Sequence, residues 1–105
     1  MSKQTNNPDL RDYQQRIRQL VVERGFDTET VSEVFTLLVE EVGELAKAIR
    51  KTNGQKVSAH SHQHEAADEL ADIFWLLIDL CNRLDVDLSD AFEAKERKNQ
   101  ARDYQ

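Results

Sequence analysis

Hydrophobic side chains recur at helical spacing in four stretches of the chain. The first stretch predicts a helix from about Pro8 to Arg24, in which Asn7 is the N-cap and the proline takes the first helical position. The second predicts a helix from Thr30 to about Lys51, at whose start Thr30 and Glu33 fit a capping box. Each helix carries one apolar stripe, which must be buried against a neighbour.

The two remaining stretches lie in the second half of the chain. A third helix is predicted from about Gln63 to Leu84. A fourth begins near Asp87 or Ser89, buries Leu88 and Phe92 and then becomes strongly charged. In the third helix, the run 73–78 places apolar side chains all round the cylinder, whereas a surface helix of a small monomer keeps a polar face. Part of this helix is therefore expected to meet another subunit.

The composition favours an all-α fold. Only 3 glycines and 1 proline occur in 105 residues, too few for the tight turns of a β-sandwich or a small barrel. The length allows one core, so we predict a single four-helix domain over residues 1–105. Residues 1–7 are expected to be disordered. Residues 52–62, which lack apolar periodicity, are expected to form a mobile loop.

Charge and hydropathy exclude several classes of protein. The formal net charge of −6 disfavours nucleic acid as a partner, because phosphates would be repelled. The apolar run 73–78 is far shorter than the roughly 20 residues that cross a membrane, and the N-terminus lacks the apolar stretch of a secretory signal. Cys81 is the single cysteine, so no internal disulfide forms. We therefore predict a cytoplasmic protein that binds neither membranes nor nucleic acid.

Two acidic pairs stand beside the apolar stripes of the second and third helices. Glu41 and Glu44 belong to the second helix, and Glu69 and Asp72 belong to the third. Residues three apart share a helix face, roughly 5 to 6 Å apart at Cβ. Antiparallel packing of the two helices would therefore bring four carboxylates together. Four ionised acids at the edge of a core repel one another, so either protonation or bound cations must relieve the repulsion.

Cations are the favoured solution, and the donor atoms indicate which ones. Carboxylate oxygens are hard ligands that suit Mg²⁺, with Mn²⁺ as a substitute, and they argue against zinc. Magnesium usually shares its coordination positions with substrate phosphates, so such a site points to phosphoryl chemistry. The competing interpretation is that these acids are ordinary solvated side chains, since pairs at this spacing are common on helices. Spacing alone does not separate the two interpretations.

The order of the acids resembles a known signature. The MazG-like nucleotide pyrophosphohydrolases of the all-α NTP pyrophosphatase superfamily have a motif similar to Glu40-Glu41-x-x-Glu44, then 24 residues, then Glu69-x-x-Asp72. That family's C-terminal phosphate-contacting segment is similar to Lys95-x-x-x-Asn99-x-x-Arg102. The resemblance covers roughly residues 30–104. It implies a MazG-like bundle whose helices pack across subunits in a homodimer or homotetramer.

The resemblance also implies an activity and a role for each residue of the motifs. The reaction would be Mg²⁺-dependent hydrolysis of a (deoxy)nucleoside triphosphate to the monophosphate and pyrophosphate, which clears unwanted nucleotides from the pool. The Mg²⁺ ligands would be Glu41, Glu44, Glu69 and Asp72. Glu40 would lie near the attacking water as the catalytic base. The triphosphate would be held by Lys95, Asn99 and Arg102.

Two alternatives stay open from the sequence. One is phosphoribosyl-ATP pyrophosphohydrolase, a relative in the same superfamily that Glu65–Asp68 resembles, although the histidine expected after this segment is replaced here by Trp75 and Leu76. The other is a non-catalytic helical oligomerisation module with solvated acids. The preferred base and sugar are not encoded in any motif.

Two further groups of residues receive the plainer interpretation. Phe74 and Trp75 stand among leucines at helical spacing, so we expect them in the core rather than stacked on a nucleobase. Three histidines, His60, His62 and His64, occupy alternate positions, which would share one face on a strand but not on a helix. The segment is not a strand, so no zinc site is predicted.

Overall fold

The computed structural model of the protein describes residues 7–54 and 59–103, with side chains for 7–51 and 65–102. This part of the chain contains no strand and four helices: α1 (Leu10–Glu23), α2 (Val31–Gly54), α3 (Ala59–Arg83) and α4 (Leu88–Asp103). The all-α, four-helix prediction is confirmed. None of the helices in the described ranges is long and apolar enough to span a membrane.

The first helix begins later than predicted, and its N-cap is Asp9. The backbone N–H of Asp12 donates to the Asp9 carboxylate at 2.8 Å, and the N–H of Asp9 donates to the Asp12 carboxylate at 3.0 Å. This reciprocal capping box satisfies two amides, and its negative charge suits the helix N-terminus. The prediction of Asn7 as N-cap is therefore wrong, because Asp9 and Asp12 together satisfy more of the free amides than one asparagine would.

The end of α1 is a left-handed turn at Gly25, whose φ is +75°. The N–H of Phe26 donates to the Val21 carbonyl at 2.8 Å, and the N–H of Gly25 donates to the Val22 carbonyl at 3.1 Å. These two bonds form a Schellman motif, in which glycine avoids the strain that a Cβ would meet at positive φ. The turn starts the α1–α2 loop (residues 24–30).

The predicted capping box at the start of α2 is confirmed. The N–H of Thr30 donates to Glu33 at 2.8 Å, and the N–H of Glu33 donates to the Thr30 hydroxyl at 3.1 Å. At its other end α2 continues to Gly54, and α3 already begins at Ala59. The helices thus extend further into the predicted 52–62 connection than the apolar pattern indicated. Residues 55–58 and 1–6, on which predictions of mobility and disorder fall, lie outside the described residues.

The helices are arranged around α3. Helix α2 packs antiparallel along α3, α1 also packs on α3, and α4 contacts α1. The core cluster joins Ile17 and Val21 of α1 to Ile78 of α3, and Phe74, Trp75 and Leu88 pack against it. The expected burial of Phe92 is wrong: its side chain is 58% exposed, because only the start of α4 lies against α1.

Large apolar surfaces remain uncovered in one copy of the chain. Phe35, Val39 and Val42 of α2 and Leu70 of α3 are each about half exposed. The radius of gyration is 17.1 Å, whereas a compact chain of this length has about 13 Å. A group of exposed apolar side chains of this kind is a candidate surface for contact with another chain.

Candidate metal centre and adjoining cleft

Antiparallel packing of α2 and α3 positions the acidic residues. At one end of the pair, Lys51 lies 3.8 Å from the Glu65 carboxylate. At the other end, the Arg83 guanidinium donates to backbone carbonyls just before α2. Glu41 lies between these two connections and therefore faces α3 near the middle of the pair.

The structure brings three of the four predicted metal ligands together. One carboxylate oxygen each of Glu41, Glu69 and Asp72 lies within 4.8 Å of the others, and these residues form the three-acid cluster. Glu41 and Glu69 are half-buried, and Asp72 is exposed. The Oε1 atom of Glu69 is closed to solvent and has no hydrogen-bond partner among the described residues. A buried carboxylate oxygen without a donor is costly, so this atom marks a place for a cation or a proton.

Electrostatics within the three-acid cluster favour a bound proton when no cation is present. The pKa of Glu41 is raised to about 7, first by a hydrogen bond with the Glu69 carboxyl, then by desolvation and by the negative charges of Glu69, Asp72 and Glu44. Such a shift is the expected result of like charges crowded at the edge of a core. A positive charge at this point would relieve the same repulsion.

The other residues of the acidic motif lie outside the three-acid cluster. Glu44 is exposed and lies 3.9 Å from the Lys47 ammonium. Glu40 is also exposed, on a different side of α2 from Glu41. No described contact joins Glu40 to the cluster, and Glu44 acts on the cluster only through its charge, which raises the pKa of Glu41.

The predicted phosphate-contacting residues all lie on α4. The Arg102 guanidinium donates to the Asn99 side chain at 2.7 Å, and Asn99 donates to the Glu96 carboxylate at 3.1 Å. Lys95 is exposed. Helix α4 contacts α1, and none of its described residues lines the cleft beside the acids. One copy of the chain therefore does not bring these three side chains to the three-acid cluster.

An open cleft of about 330 Å³ adjoins the three-acid cluster. Its wall includes Glu41 and Asp72 themselves, so a ligand in the cleft would reach the carboxylates. The remaining lining comes from Arg24, Phe26, Glu29, Leu37, Trp75 and Leu76. Trp75, predicted as a core residue, packs against the core and also lines this cleft. Phe74 conforms to its prediction and meets Tyr13 edge-on with ring centroids 5.3 Å apart.

The residues that fasten the α1–α2 loop were not predicted from any motif in the sequence. Arg83 donates through Nε to Asp79 at 2.9 Å, through Nη2 to the Phe26 carbonyl at 2.8 Å, and through Nη1 to the Glu29 carbonyl. A usable signal existed, since an acid and a base four residues apart interrupt an otherwise apolar stretch of α3. The carbonyl partners carry no signal in the sequence.

The donors present fit a hard divalent cation. The three-acid cluster offers only carboxylate oxygens, the ligands that Mg²⁺ and Mn²⁺ prefer. The donor-free Glu69 oxygen and the repulsion that raises the pKa of Glu41 would both be relieved by positive charge at this point.

Residues 23–105 match the MazG nucleotide pyrophosphohydrolase domain. The match covers most of the chain, so the protein belongs to this family of hydrolases, which act on anhydride bonds of nucleotides. The family is typically metal-dependent, in agreement with the acidic donors described above. No curated protein matches the chain.

The raised pKa of Glu41 predicts a specific pH dependence of stability without divalent ions. Its ordinary value of 4.5 applies to the unfolded chain, and the folded value is about 7. The protonated Glu41 therefore stabilises the folded state fully below about pH 4.5, and this stabilisation is lost as the pH rises through 7. In EDTA, the melting temperature of the wild type should fall between pH 5 and pH 8 relative to that of Glu41→Gln. Parallel melting profiles of the two proteins would contradict the shift.

Proposed function

We propose that the protein is a Mg²⁺-dependent nucleoside triphosphate pyrophosphohydrolase that releases the monophosphate and pyrophosphate. The observation that carries this proposal is the three-acid cluster with its donor-free Glu69 oxygen, at the edge of a cleft that has aromatic walls. Ligand pockets of roughly 300 Å³ and above accommodate small organic molecules. A nucleoside in the cleft would therefore place its phosphates at the carboxylates.

The acidic residues have two different roles in this proposal, metal binding and proton transfer. Glu41, Glu69 and Asp72 hold Mg²⁺, which when bound neutralises phosphate oxygens and lowers the pKa of a coordinated water. Glu44 would be the fourth carboxylate to hold the metal, and the exposed contact with Lys47 that it would give up costs little to lose. Glu40 accepts the proton of the attacking water as the general base. Glu40 is exposed next to Glu41 in the chain, so solvent water reaches its carboxylate.

The triphosphate is held by α4 of a neighbouring subunit in this proposal. Lys95 and Arg102 supply positive charge for the departing pyrophosphate, the arginine through a forked contact and the lysine as a point charge. Asn99 adds a hydrogen bond. Two observations support a homodimer or homotetramer that completes the site: α4 stays away from the cluster of its own chain, and the apolar faces of α2 and α3 are uncovered.

Mixing two inactive variants tests whether the subunits share sites. Glu69→Gln removes a carboxylate and Lys95→Ala removes a phosphate contact, so each variant alone should be inactive or nearly so. If α4 acts on its neighbour, subunit exchange should restore about a quarter of the wild-type rate, because about half the dimers are mixed and each mixed dimer holds one intact site. No gain in rate after exchange would place α4 in its own subunit's site.

A substrate panel tests the reaction itself. The protein is incubated with Mg²⁺ and with standard and modified nucleoside triphosphates, and the products are identified. We expect monophosphate and pyrophosphate, and we expect EDTA to abolish their formation. Turnover of phosphoribosyl-ATP alone would indicate that the protein is a phosphoribosyl-ATP pyrophosphohydrolase instead. No turnover of any compound would favour the helical oligomerisation module. Preference for modified over standard nucleotides would support clearance of unwanted nucleotides as the biological role.

A further inference from the structure

The α1–α2 loop is held at two points by a single side chain from α3. The Arg83 guanidinium donates to the carbonyl of Phe26 at 2.8 Å and to the carbonyl of Glu29. These two residues also line the cleft beside the three-acid cluster. The hydrogen bonds of Arg83 therefore fix the part of the loop that forms one wall of the cleft.

The Asp79–Arg83 pair is buried, which makes this attachment firm. The Asp79 side chain is 3% exposed and that of Arg83 is 14% exposed, and their atoms are 2.9 Å apart. Charge-assisted hydrogen bonds in a desolvated site are stronger than those at the surface. Asp79 thus holds the guanidinium in the one orientation from which it reaches both carbonyls.

The same face of α3 carries the metal-site acid, the cleft wall and the pair. Asp79 and Arg83 follow Asp72 by seven and eleven residues, so all three point to the same side of the helix. Seven residues correspond to about 10 Å along the axis. The pair is thus too distant to ligate a cation in the three-acid cluster, and it acts through the loop.

The loop brings an aromatic ring to the cleft. Phe26 lies edge-on to Trp75, with ring centroids 6.5 Å apart and an angle of 81° between the rings. Phe26 is 40% exposed, so part of its ring is available to a ligand. Aromatic side chains with free surface bind nucleobases by stacking. A shift of the loop would remove Phe26 from this arrangement and leave Trp75 in place on α3.

We propose that Asp79 and Arg83 are positioning residues for a nucleoside subsite formed by Phe26 and Trp75. The pair sets the affinity for the base and sugar of the substrate and leaves the binding of Mg²⁺ and of the polyphosphate unchanged. This inference rests on the proposed function, since it assigns the cleft to the nucleoside part of the same substrate.

Binding and kinetics of two conservative variants test the proposal. Lysine in Arg83→Lys has one compact ammonium in place of a planar fork, so it cannot reach Asp79 and both loop carbonyls at once, and Asp79→Asn keeps the shape of the aspartate but removes the charge that holds the guanidinium. With Mg²⁺ present, we expect both variants to weaken nucleoside triphosphate binding roughly tenfold and to raise KM with kcat within about twofold. Calorimetry should show unchanged binding of inorganic tripolyphosphate and of Mg²⁺ alone. The fluorescence of Trp75, the sole tryptophan, reports directly from the cleft.

Two further variants separate positioning from general damage. Arg18→Lys alters a contact at the same end of α3, where Arg18 donates to Asn82 at 3.1 Å, and it should leave both affinities unchanged. Phe26→Leu should reproduce the loss seen in Arg83→Lys without touching the buried pair. Combining Phe26→Leu with Arg83→Lys should add nothing further, since both act on one wall.

The outcomes distinguish this inference from the proposed function. Unchanged nucleotide affinity in Arg83→Lys and Asp79→Asn, or an equal loss for tripolyphosphate, would overturn the positioning role. Additive losses in the double variant would also overturn it. A wild type that binds nucleotides without hydrolysing them would refute the proposed function alone, because the binding comparison still decides the role of the pair. A wild type that binds no nucleotide would refute both.

Discussion

Glu69→Gln is expected to abolish Mg²⁺-dependent hydrolysis, with a loss of about a thousandfold or more. The substitution replaces the buried, donor-free carboxylate oxygen of the three-acid cluster by a neutral amide. A metal ion in such a site supplies several kcal/mol of transition-state stabilisation, and each 1.4 kcal/mol is about tenfold in rate. Initial rates of pyrophosphate release with saturating Mg²⁺ and nucleotide measure the effect.

Stability measurements show whether this loss comes from the site or from unfolding. Removing the Glu69 charge relieves its repulsion with Glu41, so the Mg²⁺-free variant should melt no lower than the wild type. Mg²⁺ at a hundredfold excess over Kd should stabilise the wild type by roughly 2.7 kcal/mol and the variant much less. Glu65→Gln is the matched control, since Glu65 lies exposed one turn earlier on α3. Full activity of Glu69→Gln would contradict the metal site.

Arg83→Met is expected to lower the free energy of unfolding by about 3 kcal/mol or more. Methionine preserves much of the side chain's length but leaves the Asp79 carboxylate, which is 3% exposed, without its cationic partner. Breaking a buried ion pair from one side is costly because an uncompensated charge stays in a poorly solvated place. Two loop carbonyls also lose their donor. Urea denaturation monitored by far-UV circular dichroism gives the difference.

The exposed pairs of Arg11 provide the control for this prediction. Arg11 lies 2.7 Å from Asp87 and 2.9 Å from Asp90, yet its side chain is 55% exposed. Arg11→Met should therefore cost less than about 1 kcal/mol despite the similar distances. Replacing both members of the buried pair, Asp79→Leu with Arg83→Met, should restore part of the lost stability. Equal costs for Arg83→Met and Arg11→Met would show that burial does not govern the Asp79–Arg83 pair.

Local patterns predicted the helices well where one interaction dominated. The stripe of α2 and the capping box of Thr30 and Glu33 depend on residues within one turn of each other, so the sequence contains all the partners. The start of α1 was predicted wrongly because Asn7-Pro8 fits the local pattern of an N-cap, whereas the reciprocal bonds between Asp9 and Asp12 set the actual start. The exposure of Phe92 depends on what α4 packs against, which local periodicity does not contain.

The acidic motif of the candidate site was likewise predictable from local sequence only in part. Residues three apart differ by about 60° in direction around a helix. Glu69 and Asp72 both reach Glu41, whereas Glu44 lies beyond the contact and faces Lys47. The spacing predicts a shared face, but the rotation of each helix about its axis is set by packing of the whole apolar stripe. The role of Arg83 was similarly hidden, because its loop partners are backbone carbonyls common to every sequence.

Because several functional residues lie on one helix, insertions and deletions in that helix should be poorly tolerated. Asp72, Trp75, Asp79 and Arg83 all belong to α3, and each added residue turns everything beyond it by about 100°. A single insertion between Asp72 and Asp79 would therefore swing the guanidinium out of register with its carbonyls, even if the helix stayed intact. Insertions and deletions should be far less tolerated here than near Ala59, where α3 begins.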